Sequence, residues 1–223
     1  MRSGFLMLVA AGVLAMVAGG GCGATKNAAI NLKETFGYAK RDQLVDAVKD
    51  TRDEQQAAKK QFASALDEFM AVTGAKGGEL ETRYKKLSDQ YDKAESRANA
   101  VKDEISHTER VAKLVFEEWR AELAQYNSPD LRRQSERLLD DTQGRYDRLI
   151  TVMKSAANKM DPVLAAFRDQ KLFLKHNLTA RAIASLQDNA DRMQNDIAGL
   201  IKEMEQAIAE SNEFIEAMQK EGA

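Results

Sequence analysis

The sequence predicts an all-α protein, an elongated antiparallel four-helix bundle of the coiled-coil type that follows an N-terminal export signal. Apolar residues recur at alternating steps of three and four, which is the period of helices that pack lengthwise against other helices. Only 6% of the 223 residues are aromatic, 30% are charged, and the chain has two prolines. This composition is typical of long helices rather than of sheets.

The first predicted helix begins between Ala28 and Lys40 and ends at Val72. Three glycines within residues 74–78 then end the helix and reverse the chain. Because this connection is short, we expect the next helix to run antiparallel to the first. The predicted seam consists of Leu44, Val48, Thr51, Gln55, Ala58, Phe62, Ala65, Phe69 and Val72.

The second predicted helix, from Leu80 to Tyr126, keeps a seven-residue repeat and forms a seam about 70 Å long, which only other helices can cover. A serine, a proline and an acid at Ser128-Pro129-Asp130 then give the start of a third helix. One register of the repeat holds Tyr84, Tyr91, Ala98, Ile105, Ala112, Trp119 and Tyr126. The other holds Leu80, Leu87, Ala94, Val101, Thr108 and Val115.

In the third helix, consecutive four-residue steps from Leu138 through Thr142 to Tyr146 predict a stutter that locally unwinds the supercoil. Asp161-Pro162 fits either a kink within one helix or a new helix, and the kink is favoured because the apolar face continues across it. The predicted seam is Leu131, Ser135, Leu138, Thr142, Tyr146, Leu149, Met153, Ala156, Met160, Val163, Phe167 and either Phe173 or Leu174.

The fourth helix follows a weakening of the pattern around residues 175–177 and has a broad apolar face. Its predicted seam is Ile183, Leu186, Ala190, Met193, Ile197, Leu200, Met204, Ala207, Ser211, Phe214 and Met218. Polar residues in the seams either fix the helix register or mark imperfections near solvent, and the second interpretation is favoured. They are Gln55, Thr108, Ser135, Thr142 and Ser211. A homo-oligomer of helical hairpins is the alternative to a single-chain bundle.

Residues 1–21 are predicted to be a signal peptide of the lipoprotein type. Arg2 precedes an apolar run that is too short for a comfortable membrane span, and three glycines lead into Cys22, the only cysteine. We expect Cys22 to carry a lipid, although Gly19 stands where an aliphatic residue is usual. Residues 22–39 are then a tether and the start of helix one, and residues 40–223 the bundle domain. Cleavage to a soluble periplasmic form and an uncleaved anchor are the alternatives.

Charge and motif content exclude several functional classes. The net charge is −2, and basic and acidic residues alternate, unlike the basic stripe of a nucleic-acid-binding protein. Glu104 and His107 have the Glu-x-x-His spacing of di-iron bundles, but Phe173 stands where a second copy before His176 would need a glutamate. The sequence therefore predicts no catalytic residues, no metal ligands and no cofactor.

A polar cluster near the break after helix three is the one candidate interaction site. It comprises Arg168, Asp169, His176, Asn177 and Arg181. Charges close to a core normally seek partners, so we expect a buried ion pair between these segments. His176 and Asn177 are interpreted as a helix-end cap. The functional alternative is a site for a partner's carboxylate or a component of the cell wall.

Three blocks carry a family resemblance: AKRDQLVDAVKDTRDEQQAAKKQFASALDEF (39–69), SPDLRRQSERLLDDTQGRYDRLI (128–150) and MDPVLAAFRDQKLFLKHNLTARAIASLQ (160–187). They resemble an exported proteobacterial family catalogued as domain of unknown function twenty-nine fifty-nine. The third block is the most specific, because helix periodicity does not dictate its Phe-Arg-Asp-Gln and Lys-His-Asn-Leu order. The resemblance implies a secreted or lipid-anchored helical protein of unassigned activity, and it supplies no catalytic residues.

We therefore expect a non-enzymatic cell-envelope protein, a scaffold or interaction module that faces the periplasm. Because no aspartate follows Cys22, the inner leaflet of the outer membrane is the expected location. Its expected partners are the membrane, through Cys22, and other envelope proteins. The alternative is a carrier whose bundle holds a small molecule or lipid, which cavities between the alanine layers at Ala94, Ala98 and Ala112 would favour. An enzyme would need two acids converging in a cleft.

Overall fold

Four long antiparallel helices form the part of the chain that the computed structural model describes, residues 40–75 and 79–221. They are α1 (Lys40–Thr73), α2 (Leu80–Leu123), α3 (Pro129–His176) and α4 (Ala180–Glu221). These ranges contain no strand, and the all-α bundle prediction is confirmed. The predicted signal peptide, Cys22 and the start of helix one lie outside the described residues.

The helices stand in chain order around a common core. Each packs against its neighbours in the chain, and α4 closes the bundle by packing against α1, with α1 and α2 in the most extensive contact. Several core positions of these two helices hold small residues, among them the fully buried Ala58, Ala94 and Ala98, and small residues let helices pack closely. Across the core, the rings of Phe69 and Phe167 meet edge to face, with their centroids 6.1 Å apart. One chain thus covers all four of its own seams.

The predicted seams of α1 and α4 are buried at every position. The α2 seam is also confirmed over most of its length, with Tyr84 and Trp119 partly buried. The helix ends at Leu123, three residues before the predicted end near Tyr126. The seam assignment of Tyr126 was wrong, because Tyr126 is exposed in the turn that leads to α3. Ser128 caps α3 by accepting a hydrogen bond from the Leu131 amide at 3.4 Å.

The predicted register of α3 was wrong in its first turns, whereas near its end one of the two predicted alternatives, Leu174, is confirmed. Leu139, not Leu138, is buried, and Leu131 is exposed. At the other end Leu174 is buried and Phe173 exposed. The seam therefore runs Ser135, Leu139, Thr142, Tyr146 in steps of four, three and four, so the predicted stutter does not occur.

Pro162 lies inside α3, which confirms the prediction of one helix across this position. The preceding residue does not cap a new helix. Instead, Asp161 accepts a hydrogen bond from Lys102 on α2, with 2.5 Å between Nζ and Oδ1. The helix therefore crosses the proline, which lacks an amide hydrogen, while packing and interhelical ion pairs hold it in place.

The polar seam residues lie in the core, so the interpretation that they mark solvent-near imperfections was wrong. The hydroxyls of Thr51 and Thr108 are 3.0 Å apart, and each lies 3.0 Å from the carbonyl oxygen of Ala47. Ser211 donates to the carbonyl oxygen of Ala207 at 2.6 Å. Gln55 is fully buried, yet neither polar atom of its amide has a hydrogen-bond partner among the described residues.

Candidate functional site: the two ends of the rod

The bundle is a rod about 50 to 70 Å long, as follows from helices of 34 to 48 residues at 1.5 Å per residue. We call one end proximal, because the N-terminal residues connect to α1 there. Lys40 at the start of α1 pairs with Glu118 near the end of α2 at 2.9 Å. Arg41 donates to the carbonyl oxygen of Met218 near the end of α4 at 2.5 Å. The first turns of α3 lie at this end too.

The distal end carries the α1–α2 and α3–α4 connections. Gln187 near the start of α4 donates to the carbonyl oxygen of Thr73 at the end of α1 at 3.4 Å. Lys171 near the end of α3 pairs with Asp92 on α2 at 2.6 Å. The four helices are therefore tied together at this end by contacts between neighbours.

Large apolar side chains are exposed only at the two ends, within residues 40–75 and 79–221. The proximal end exposes Tyr126, Leu131 and Leu138, and the distal end exposes Met70, Leu172 and Phe173. The long middle of the rod instead presents charged side chains, many in ion pairs between helices, such as Lys154 with Glu109 at 2.8 Å. An exposed apolar patch with a polar surround is typical of an interaction site.

The distal apolar residues lie in a basic stretch. We call Leu172 and Phe173, with the charged residues from Arg168 to Arg181, the distal patch. This stretch holds four basic residues (Arg168, Lys171, Lys175 and Arg181) and one acidic residue (Asp169), a net charge of +3 against −2 for the whole chain. The distal patch therefore combines apolar contact area with positive charge.

Every member of the predicted polar cluster is on the surface. Arg168 and Asp169 are exposed, as are His176 and Arg181, so the expected buried ion pair was wrong. The reason is register, because Phe167 fills the core position and directs the next two side chains outward. No hydrogen bond or ion pair joins these four residues to one another in the described part of the chain.

Asn177 caps the C-terminal end of α3, as the sequence predicts. Its side-chain amide donates to the carbonyl oxygen of Phe173 at 2.9 Å, and its backbone amide donates to that of Leu174 at 3.1 Å. These bonds satisfy carbonyl groups that the end of α3 leaves without intrahelical partners. Asn177 thus has a structural role that accounts for it, while His176 is left exposed beside it.

A groove between α2 and α3 adjoins the distal patch. It has a volume of about 420 Å³ and is lined by Tyr91, Glu95, Asn99, Asp161, Leu164, Ala165, Arg168, Asp169 and Leu172. Burial, together with a hydrogen bond to Glu95, raises the pKa of Tyr91 to about 12. The ammonium group of Lys171 lies 4.6 Å from the centre of the same ring, a cation–π contact. The groove is a shallow extension of the distal patch rather than an enclosed pocket.

Glu203 on α4 is held by two side chains of α3, Ser155 and Lys159. Hydrogen bonds from Lys159 and Ser155 hold the pKa of Glu203 below its usual range, the opposite of what a general acid requires. Glu104 and His107 flank the buried Ile105 without entering the core. In the ranges described, no three His, Cys, Asp or Glu side chains are grouped so that they could hold a metal ion. None of the helices there is long and apolar enough to cross a membrane.

A family model described as "Protein of unknown function (DUF2959)" matches residues 30–218. The chain belongs to this family. The DUF2959 match covers all four helices except the last three residues of α4 and begins ten residues before α1. No curated protein and no solved structure matches the chain.

Sequence reasoning found the charged part of the distal patch in this DUF2959 protein but missed its apolar part. Leu172 belongs to no predicted seam, and Phe173 was an alternative for a buried position. The signal was the run Leu172-Phe173-Leu174, since a helix with one covered stripe cannot bury three consecutive apolar residues.

Proposed function

We propose that this protein is a non-enzymatic interaction module of the cell envelope. In this proposal Cys22 is acylated after export, the lipid enters the inner leaflet of the outer membrane, and the rod extends into the periplasm. The distal patch then binds an envelope protein with an acidic, partly apolar surface. A soluble periplasmic form that uses the same patch is the alternative for localisation.

The observation that carries this proposal is that, in the described part of the chain, large apolar side chains are exposed only at the two ends of a charged rod. Charged side chains along the middle of the rod favour solubility and keep molecules apart, whereas apolar side chains at its ends favour contacts with other molecules. The positive charge around Leu172 and Phe173 favours an acidic partner, because complementary potentials steer association and exclude like-charged surfaces. The apolar run before Cys22 supports export, and the small residues beside Cys22 support acylation.

The anchor is tested by the mass of the mature protein purified from cells. We expect the mass of a chain that begins at Cys22 and carries acyl groups. Cys22→Ser should lose this modification. A mature chain with an unmodified Cys22 would contradict the anchor and leave the soluble form.

The distal patch is tested by a photo-crosslinking amino acid placed at Phe173 in intact cells. We expect a discrete protein adduct that is lost when Lys175 and Arg181 are both changed to glutamate. The matched control places the crosslinker at the exposed Asp103 in the middle of α2, where we expect no adduct. Equal adducts at both positions, or turnover of a substrate by the purified protein, would overturn the proposal.

The second candidate is a carrier, and the unpartnered amide of Gln55 is the observation that favours it. A ligand with a polar group could satisfy this amide inside the bundle. Against it, Ala94, Ala98 and Ala112 are tightly buried, and the grooves found between described residues open to solvent. Native mass spectrometry of the protein from cells distinguishes the two, because a carrier would retain a stoichiometric small molecule.

A further inference from the structure

The proximal end exposes apolar side chains that do not pack into the core of the bundle. Leu131 and Leu138 lie seven residues apart on one face of α3, and Tyr126 lies in the turn just before this helix. The register of α3 turns both leucines away from the core, because Ser135 and Leu139 occupy the buried positions. We call Tyr126, Leu131 and Leu138 the proximal patch.

Arginines and acidic residues both surround the proximal patch, and residues 126–141 hold three arginines and four acidic residues. Arg132 pairs with Glu136 at 3.0 Å, and Arg133 pairs with Asp130, so both are held along the helix surface. Arg137 is exposed next to Leu138. Exposed aromatic and aliphatic side chains are common where proteins meet the lipid–water interface, because their apolar parts enter the acyl region. The apolar side chains, rather than the charge of this stretch, therefore favour contact with a bilayer.

In the proposed anchored form, the tether enters the bundle at the proximal end. Lys40 lies at the proximal end. The eighteen residues that precede it, from Cys22 to Ala39, can span at most about 60 Å. A lipid on Cys22 therefore keeps the proximal end within about 60 Å of the bilayer, a distance similar to the length of the rod. A tether of this length limits distance but does not by itself orient the rod.

We propose that the proximal patch lies against the lipid surface and holds the rod upright, so that the distal patch points away from the membrane. This inference rests on the proposed function, because it requires the acylated Cys22. The occupant is a phospholipid bilayer, to which Tyr126, Leu131 and Leu138 contribute apolar burial.

Trp119 provides the test, because it is the only tryptophan and lies at the proximal end. Its Nε1 donates to Ser135 Oγ at 2.8 Å, one helical turn from both Leu131 and Leu138. Acylated protein purified from cells is reconstituted into vesicles of phosphatidylethanolamine and phosphatidylglycerol that contain lipids brominated near the headgroup. We expect bromine to quench Trp119, and Leu131→Glu to restore most of the lost fluorescence.

Leu172→Glu is the matched control. Leu172 is 52% exposed and Leu131 55% exposed, both on α3 at opposite ends, so the two substitutions are comparable in chemistry and in stability cost. The control should leave the quenching of Trp119 unchanged. A second reporter, Phe173→Trp combined with Trp119→Phe, should be quenched much less than Trp119, because it sits at the distal end.

The outcomes separate this inference from the proposed function. Protein that floats with the vesicles while Trp119 stays unquenched would overturn the inference and leave the anchor intact. Equal quenching of both reporters would mean that the rod lies flat, which also overturns it. Protein that does not float would defeat the anchor and this inference together. Self-association without vesicles that Leu131→Glu abolishes would assign the proximal patch to a second copy instead.

Discussion

Gln55 is a buried polar side chain that lowers the stability of the bundle. It occupies a seam position in α1, is fully buried, and its amide has no hydrogen-bond partner in the described part of the protein. One turn away, Thr51 and Thr108 satisfy each other. A buried polar group without a partner costs about 1–3 kcal/mol, and the best-attested benefit of such a group in a helical seam is the choice of register and partner.

We expect Gln55→Met to raise the free energy of unfolding by about 1–2 kcal/mol, since methionine has nearly the same shape and removes the unsatisfied amide. Denaturant titration of the two proteins measures the change. The neighbouring Gln56 is exposed, so Gln56→Met is the matched control and should change stability little. A clear loss of stability in Gln55→Met would show that the amide is satisfied in solution, and would strengthen the carrier candidate.

Contacts with a neighbouring helix, rather than the apolar pattern of α3 itself, determine the register of α3. Leu138 and Leu139 are adjacent, and either one fits an apolar stripe when the helix is considered alone. In the bundle, Trp119 on α2 hydrogen-bonds Ser135 and thereby orients the first turns of α3. The buried residue four positions later is then Leu139, and the regular steps of three and four continue to Phe167. The predicted stutter resulted from assigning Leu138, rather than Leu139, to the seam.

Leu139→Ala should therefore lower the free energy of unfolding by about 2–4 kcal/mol, because it leaves a cavity in the core. Leu138→Ala, at a residue that is mostly outside the core, should cost less than about 1 kcal/mol. The same substitution in adjacent residues makes this a direct comparison, with thermal or denaturant unfolding as the measurement. Equal losses, or a larger loss at Leu138, would mean that α3 is rotated relative to the arrangement described above.

At the scale of the whole molecule, one chain buries all four of its own seams. Each helix contacts two neighbours, and α1 against α4 closes the ring. Ion pairs reinforce this closure, including Lys59 with Glu205 at 3.1 Å. Surface pairs of this kind contribute little stability each, but they disfavour alternative pairings in which like charges would meet. An oligomer of hairpins is therefore not needed to cover any seam in the described helices.

We predict that the Cys22→Ser protein without its signal residues sediments as an elongated monomer at micromolar concentration. Analytical ultracentrifugation measures both mass and frictional ratio, and the rod predicts a ratio above that of a compact sphere of equal mass. An obligate dimer that survives dilution, and that unfolds and dissociates together, would favour exchanged hairpins over the single-chain bundle.

The sequence by itself determined the number of helices, their antiparallel order and the seam residues along most of α1, α2 and α4. This information is local, because a stripe with steps of three and four specifies which face of a helix must be covered. The tertiary structure alone decided which of two adjacent leucines enters the core of α3. It also decided that Arg168 and Asp169 face solvent, and that among the described residues the exposed large apolar side chains lie at the rod's ends. Those choices depend on how one helix is rotated against another and on where the neighbouring helices end. The apolar pattern of a single helix specifies neither.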